Sequence, residues 1–124
     1  MGDTRLMKVL VTGSRDWNNW ELIHKEFLKL PKDTIIGHGD ADGLDRMCDV
    51  LATEMGFEVQ RYPAKWNPAD GNRSGVYRNT SMLWDFNPEL CLAFRSKMNS
   101  RGTNDMVYKC KLKGVKTIII DGWK

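Results

Sequence analysis

The sequence is short of several things, and each shortage removes a class of protein. No apolar run approaches the roughly 20 residues a membrane helix needs, so neither a membrane span nor a membrane partner is expected. The three cysteines, Cys48, Cys91 and Cys110, are isolated. An odd count without a C-x-x-C pair argues against a disulfide framework and against zinc. Each lies in an apolar segment, where a thiol behaves as a small hydrophobe. Strong charge of one sign is also missing. Lys and Arg outnumber Asp and Glu by 19 to 16. That mild excess suits a small anionic ligand, and a nucleic-acid partner, which asks for more basic surface, is not expected. Met1-Gly2-Asp3-Thr4-Arg5 carries no signal-peptide core, so a cytoplasmic protein is expected. No repeat, low-complexity tract or linker breaks the 124 residues. They read as one domain, residues 1–124, around one core.

What is present is alternation. Leu6 to Val11 is a short branched apolar run, the pattern of a buried strand. Trp20 to Leu30 repeats apolar residues at helical spacing and stops at Pro31. Thr34 to Gly37 is a second strand. Gly43 to Met55 sets Leu44, Met47, Leu51 and Met55 on one helical face, with Gly56 as C-cap. Phe57 to Tyr62 alternates like a strand. A long polar loop, Pro63 to Gly75, follows, and its length suggests function. Val76 to Phe86 is a helix, Leu90 to Phe94 a strand, and Arg95 to Arg101 a polar loop. Thr103 to Lys113 is the last helix, ended by Gly114, and Val115 to Ile120 the last strand. Strand–helix alternation with short connections implies an α/β, Rossmann-like, doubly wound sheet. About five parallel strands, in order 3-2-1-4-5, carry helices on both faces.

In such a sheet the loops leaving the strands gather at one edge, beside helix N-termini that attract anions. The first, Thr12 to Trp17, offers the tight turn of Gly13, the Ser14 hydroxyl and the guanidinium of Arg15, which can grip a phosphate through paired hydrogen bonds. The second, Gly37-His38-Gly39-Asp40-Ala41-Asp42-Gly43-Leu44-Asp45, is glycine-rich. Its third glycine comes one residue late for a dinucleotide fingerprint. Leu44 occupies a calcium-ligand position, which excludes that loop type. Asp42 and Asp45 fit helix capping and the first helical turn, and Asp40, outside the helix, suits a ribose hydroxyl. His38 has no convergent partner, since His24 lies on another helix. It reads as a polar ligand or structural contact, and no metal or other cofactor is expected. The third loop brings Trp66, Arg73, Tyr77, Arg78 and Asn79. The arginines flank a helix start, and Trp66 or Tyr77 can stack on a base, although Trp66 equally suits a loop anchor. The fourth holds Arg95, Lys97 and Arg101, then Gly102-Thr103, which gives amides and a hydroxyl for phosphate. Thr103 is equally an ordinary N-cap. Lys109, Lys111 and Lys113 read as a solvated helix surface, and Trp84 with Phe86 as an exposed patch through which a homodimer would form.

Six segments in order then resemble one family. VLVTGSRDW (9–17), GHGDADGLD (37–45), YPAKW (62–66), YRNTSM (77–82), AF (93–94) and RGTNDM (101–106) are similar to the YspA-like, YpsA-related branch of the SLOG superfamily, named for the Smf/DprA proteins and the Lonely Guy enzymes. The resemblance implies a Rossmann-like fold and a nucleotide-derived ligand, phosphoribosyl or ADP-ribose-like. It also implies a sensing or processing role, often in phage, plasmid or defence settings. The Lonely Guy enzymes cleave the N-glycosidic bond of nucleoside monophosphates, using an arginine–lysine pair and a P-G-G-x-G-T-x-x-E loop. Here Arg78 matches the arginine and Asn79 replaces the lysine. Gly102 and Thr103 match, Asn99-Ser100 replace the paired glycines, and Met106 stands at the glutamate. Asp105 is the nearest carboxylate and, with Asp40, the candidate catalytic group. The resemblance therefore favours a binding or sensor module first. A phosphoribohydrolase comes second, and single-stranded DNA binding of the DprA type third.

Overall fold

The computed structural model describes residues 7–65, 67–69, 73–98 and 100–123. The elements run β1 (Lys8–Gly13), α1 (Trp20–Phe27), β2 (Ile35–His38), α2 (Leu44–Glu54), β3 (Glu58–Arg61), α3 (Arg73–Phe86), β4 (Leu90–Arg95), α4 (Arg101–Lys113) and β5 (Lys116–Asp121). The five strands are parallel in the order β3-β2-β1-β4-β5, as the alternation predicts.

Side chains alternate across the sheet because successive residues of a strand face opposite sides. Val9 and Val11 of β1, Ile36 of β2 and Leu90, Leu92 and Phe94 of β4 pack with α1 and α2, through Ile23, Phe27, Leu44, Met47, Cys48 and Ala52. Leu10, Ile35 and Cys91 point the other way, against Met82, Leu83 and Phe86 of α3 and Met106 and Cys110 of α4. Helices thus cover both faces, two to a face. All three thiols are free and buried. Among the described residues no helix is long and apolar enough to cross a membrane.

Several boundaries differ from the sequence pattern, each for a local reason. Helix α1 stops at Phe27. The Leu28 amide still reaches His24, but Lys29 and Leu30 bond only three residues back, at 3.2 and 3.1 Å. This tightened last turn precedes Pro31, which disfavours helical backbone before it. Helices α3 and α4 both start earlier than expected, at Arg73 and Arg101. The glycines read as loop, Gly75 and Gly102, are helical residues in open space. Because the Asn104 amide bonds the Ser100 carbonyl at 2.8 Å, Thr103 lies inside α4 and is not its N-cap. The N-cap of α2 is Gly43, not Asp42, which instead pairs with Arg46 at 3.0 Å. Phe86 is 1% exposed while Trp84 is 68% exposed, so the two do not form one patch. Leu6, expected in the first strand, lies outside the described residues.

Candidate functional site

Strands β1 and β4 lie side by side, with Thr12 paired to Ala93 and Gly13 to Phe94. The chain order reverses here, and the helices that follow the two strands diverge to opposite faces. A cavity of about 690 Å³ opens beside this point. One side is made by Thr12, Gly13, Arg15, Ala41 and Asp45, from the end of β1, the loops after β1 and β2 and the start of α2. The other is made by Arg73, Gly75, Val76, Arg78 and Asn79 of α3 and by Arg101, Gly102, Thr103 and Asp105 of α4. The described lining carries four guanidinium groups against two carboxylates, an arrangement that attracts anions.

The first turn of α4 faces this cavity with little of its own to satisfy it. Its N-cap, Ser100, makes no side-chain capping bond. The Ser100 hydroxyl is engaged with Ser14 Oγ and the Ser96 carbonyl, both at 2.8 Å. The first amides of a helix have no intrahelical acceptor. Thr103, only 2% exposed, leaves Oγ1 without a hydrogen-bond partner among the described residues. Among the described residues, nothing lies within 4 Å of the place a side chain on Gly102 would occupy.

Arg78 and Asn79 tie the two sides together. The Arg78 guanidinium donates to the Gly39 carbonyl and, at 3.4 Å, to that of Tyr62, and its Nε donates to Asn79 Oδ1 at 3.0 Å. Burial lowers the Arg78 pKa below the usual guanidinium range, while the Asp45 carboxylate acts in the opposite sense. Asn79 Nδ2 donates to the Gly102 carbonyl at 3.2 Å and to Asp105 Oδ2 at 3.1 Å. Lys109 Nζ also reaches Asp105, at 2.8 Å, and the Val76 carbonyl, at 3.0 Å. Lys109 is therefore a strut between α3 and α4, not part of a solvated stripe. Its neighbour Met106 is fully buried in the core, whereas Asp105 lies on the cavity wall.

Of the residues picked out in the sequence, Gly13, Arg15, Arg73, Arg78, Asn79, Arg101, Gly102, Thr103 and Asp105 line this one cavity. Others are occupied inside the protein. Ser14, 1% exposed, accepts the Ser96 amide at 2.9 Å and so joins the loops after β1 and β4. Gly37 gives room to the Phe86 ring and Gly39 to the Arg78 guanidinium. Fully buried His38 accepts the Asp40 amide on Nδ1 at 2.9 Å, which leaves Nε2–H to donate to Asp49 at 2.7 Å. Asp40 itself holds a left-handed backbone, φ 54°. Arg95 is paired with Asp121 at 2.8 Å and adds no free charge to its loop. Trp66 lies outside the described residues.

Asp45 lies in the first turn of α2, as its spacing predicts, but it also lines the cavity. It is 6% exposed, and its Oδ2 accepts the amides of Gly39 at 3.1 Å and Ala41 at 3.3 Å. Burial pushes its pKa up, against the opposing pull of His38 and Arg78. An aspartate in a first helical turn is ordinary, and nothing in its spacing separates a capping carboxylate from one on a cavity wall.

The profile of the YspA, cpYpsA-related SLOG family matches residues 7–68, half of the chain. The chain belongs to that family. SLOG membership points to nucleotide-related binding or glycosidase-like chemistry in general terms. The matched stretch includes β1, β2, α2 and β3, and so the side of the cavity built by Gly13, Arg15 and Asp45. The arginines of α3 and the first turn of α4 lie beyond it. No curated protein matches the chain.

Proposed function

We propose that this SLOG domain binds a nucleotide or nucleotide-derived molecule of the phosphoribosyl or ADP-ribose-like type, and that it serves as a sensor or binding module. In this reading the phosphate sits on the first turn of α4. It takes hydrogen bonds from the amides around Gly102 and from the Thr103 hydroxyl, with Arg73, Arg78 and Arg101 supplying charge. The observation that carries it is Thr103 Oγ1, a buried donor without a partner among the described residues, in a cavity ringed by arginines. Buried hydroxyls are almost always satisfied, and one that is not asks for a reason. Thermal-shift or calorimetric titration with nucleoside mono- and diphosphates and ADP-ribose tests the proposal. At least one should raise the melting temperature, and Thr103→Val should weaken it. Lack of stabilisation by every member at millimolar concentration overturns the reading.

One observation supports a second reading, hydrolysis of an N-glycosidic bond. Asp105 lies on the cavity wall and is held there by Asn79 and Lys109. A fixed carboxylate can stabilise an oxocarbenium-like centre while Arg78 holds the phosphate. Nucleoside monophosphates incubated with the protein should then release free base, and Asp105→Asn should abolish the release. Equal background release from both proteins would end this reading and leave the binding module intact.

A further inference from the structure

Two buried side-chain atoms lack a hydrogen-bond partner among the described residues, Thr103 Oγ1 and Asp45 Oδ1, and both residues line the same cavity. A phosphate answers the first. It does not answer the second: against the cost of burial, the Gly39 and Ala41 amides and the nearby Arg78 guanidinium favour the carboxylate form, whose oxygens only accept hydrogen bonds and repel another anion. Nor does the local loop explain it. The Gly39 and Ala41 amides both go to Oδ2, which fixes the carboxylate and leaves Oδ1 unused. The missing partner is therefore a donor. A cationic donor is disfavoured, since the Arg78 guanidinium already acts on Asp45 and Arg15 stands on the same wall. A neutral O–H or N–H remains.

The position of Asp45 narrows this further. Its helix begins next to the proposed phosphate seat. The Leu44 amide donates to the Ser14 carbonyl at 3.2 Å, and the Ser14 hydroxyl meets Ser100, the N-cap of α4, at 2.8 Å. A second bridge runs from Asp45 through the Gly39 amide to Arg78, Asn79 and the Gly102 carbonyl. The part of a nucleotide that adjoins its phosphate is the sugar. We propose that Asp45 reads that sugar: its Oδ1 accepts a hydrogen bond from a ribose hydroxyl of the phosphate-bearing ligand, so that the cavity prefers a hydroxylated sugar to a dideoxy one. This rests on the phosphate seat proposed above and assigns the other end of the same ligand.

The test is calorimetry with adenosine 5′-monophosphate, its 2′,3′-dideoxy analogue and inosine 5′-monophosphate. The wild-type protein should prefer the ribonucleotide over the dideoxy form by about tenfold or more, as loss of a hydrogen bond to a buried charged acceptor costs. Asp45→Asn keeps an oxygen for the Gly39 and Ala41 amides and turns the other atom into a donor. It should bring the preference close to one, and an undiminished preference in the variant overturns the assignment. Wild-type protein that binds both adenine nucleotides equally overturns the sugar assignment and leaves the phosphate seat standing. Binding of none of the three overturns this inference, and the phosphate seat falls with it only if nucleoside diphosphates and ADP-ribose fail as well. If affinity falls for inosine monophosphate but not for the dideoxy form, Asp45 meets a base amino group and the sugar assignment is wrong. The wild-type comparison needs no variant and stands even if Asp45→Asn fails to fold.

Discussion

The loop after β2 and the loop after β4 make an instructive pair. The first is dense in glycine and looks like a ligand cradle, yet the protein itself fills it. A side chain on Gly37 would meet Phe86, one on Gly39 would meet Arg78, and one on Gly43 would run into the backbone of Arg15. The second leads into α4 and its single glycine, Gly102, and among the described residues nothing stands within 4 Å of where a side chain there would be. A glycine reports that something comes close to the backbone. It does not report whether the intruder is a ligand or the chain's own side chain. Open space separates the two cases, and at the glycines it favours the poorer-looking segment.

That contrast can be broken by substitution. The largest effect should come from Gly43→Ala. Gly43 has φ 82° and its new methyl would collide with main chain, so a loss on the order of 3 kcal/mol is expected. The melting temperature should fall by roughly 10 °C. Gly102→Ala should leave folding within about 1 kcal/mol of wild type while weakening nucleotide binding. Equal melting temperatures for the two variants would dissolve the distinction between filled and open loop. Next in size, Thr103→Val should cost about tenfold in ligand affinity without destabilising the free protein, because it removes a donor that has no acceptor among the described residues. A clear drop in the unliganded melting temperature would mean that the hydroxyl has a partner inside the fold.

Two carboxylates of α2 sharpen the comparison through pH. Burial raises the Asp45 pKa, so its protonated form is the better tolerated in the fold. The stability this group contributes is complete below its ordinary value of 3.8 and is lost as pH rises through the raised one. Asp45→Asn should therefore stabilise the free protein at neutral pH, by about 1 kcal/mol, and the gain should vanish in acid. Asp49 has the opposite sign. Its hydrogen bond from Arg61, and with it that from His38, holds its pKa below 3.8. Its contribution is present above that value and disappears as pH falls through the depressed one. Asp49→Asn should cost a smaller amount at neutral pH and nothing in strong acid. Denaturant midpoints measured from neutral to strongly acid pH would show the two curves converging on wild type from opposite sides, and parallel curves would contradict both assignments.

The sheet order was legible because parallel strands with right-handed crossovers leave few arrangements, and the four loops at the strand ends follow from it. Helix starts were not legible at Arg73 and Arg101. Gly75 and Gly102 resemble loop residues, and a first helical turn tolerates them in solvent. The cavity's arginines could be named from their loops, whereas Asp45 could not. What distinguishes it is the unequal use of its two oxygens, which depends on where the Gly39 and Ala41 amides fall in space. The role of Lys109 is hidden for a similar reason. Its spacing fits a surface stripe, but α3 packs close enough to receive its ammonium group at the Val76 carbonyl.

The burial of every native thiol has a practical side. Cys48, Cys91 and Cys110 are all shielded in the two cores, so a maleimide dye should pass them by in the folded state. One cysteine placed at the exposed Tyr77, between the cavity-lining Val76 and Arg78, would then take the label alone. The natural chain is a ready background for a single-site optical reporter, in which fluorescence follows occupancy without any native cysteine being removed.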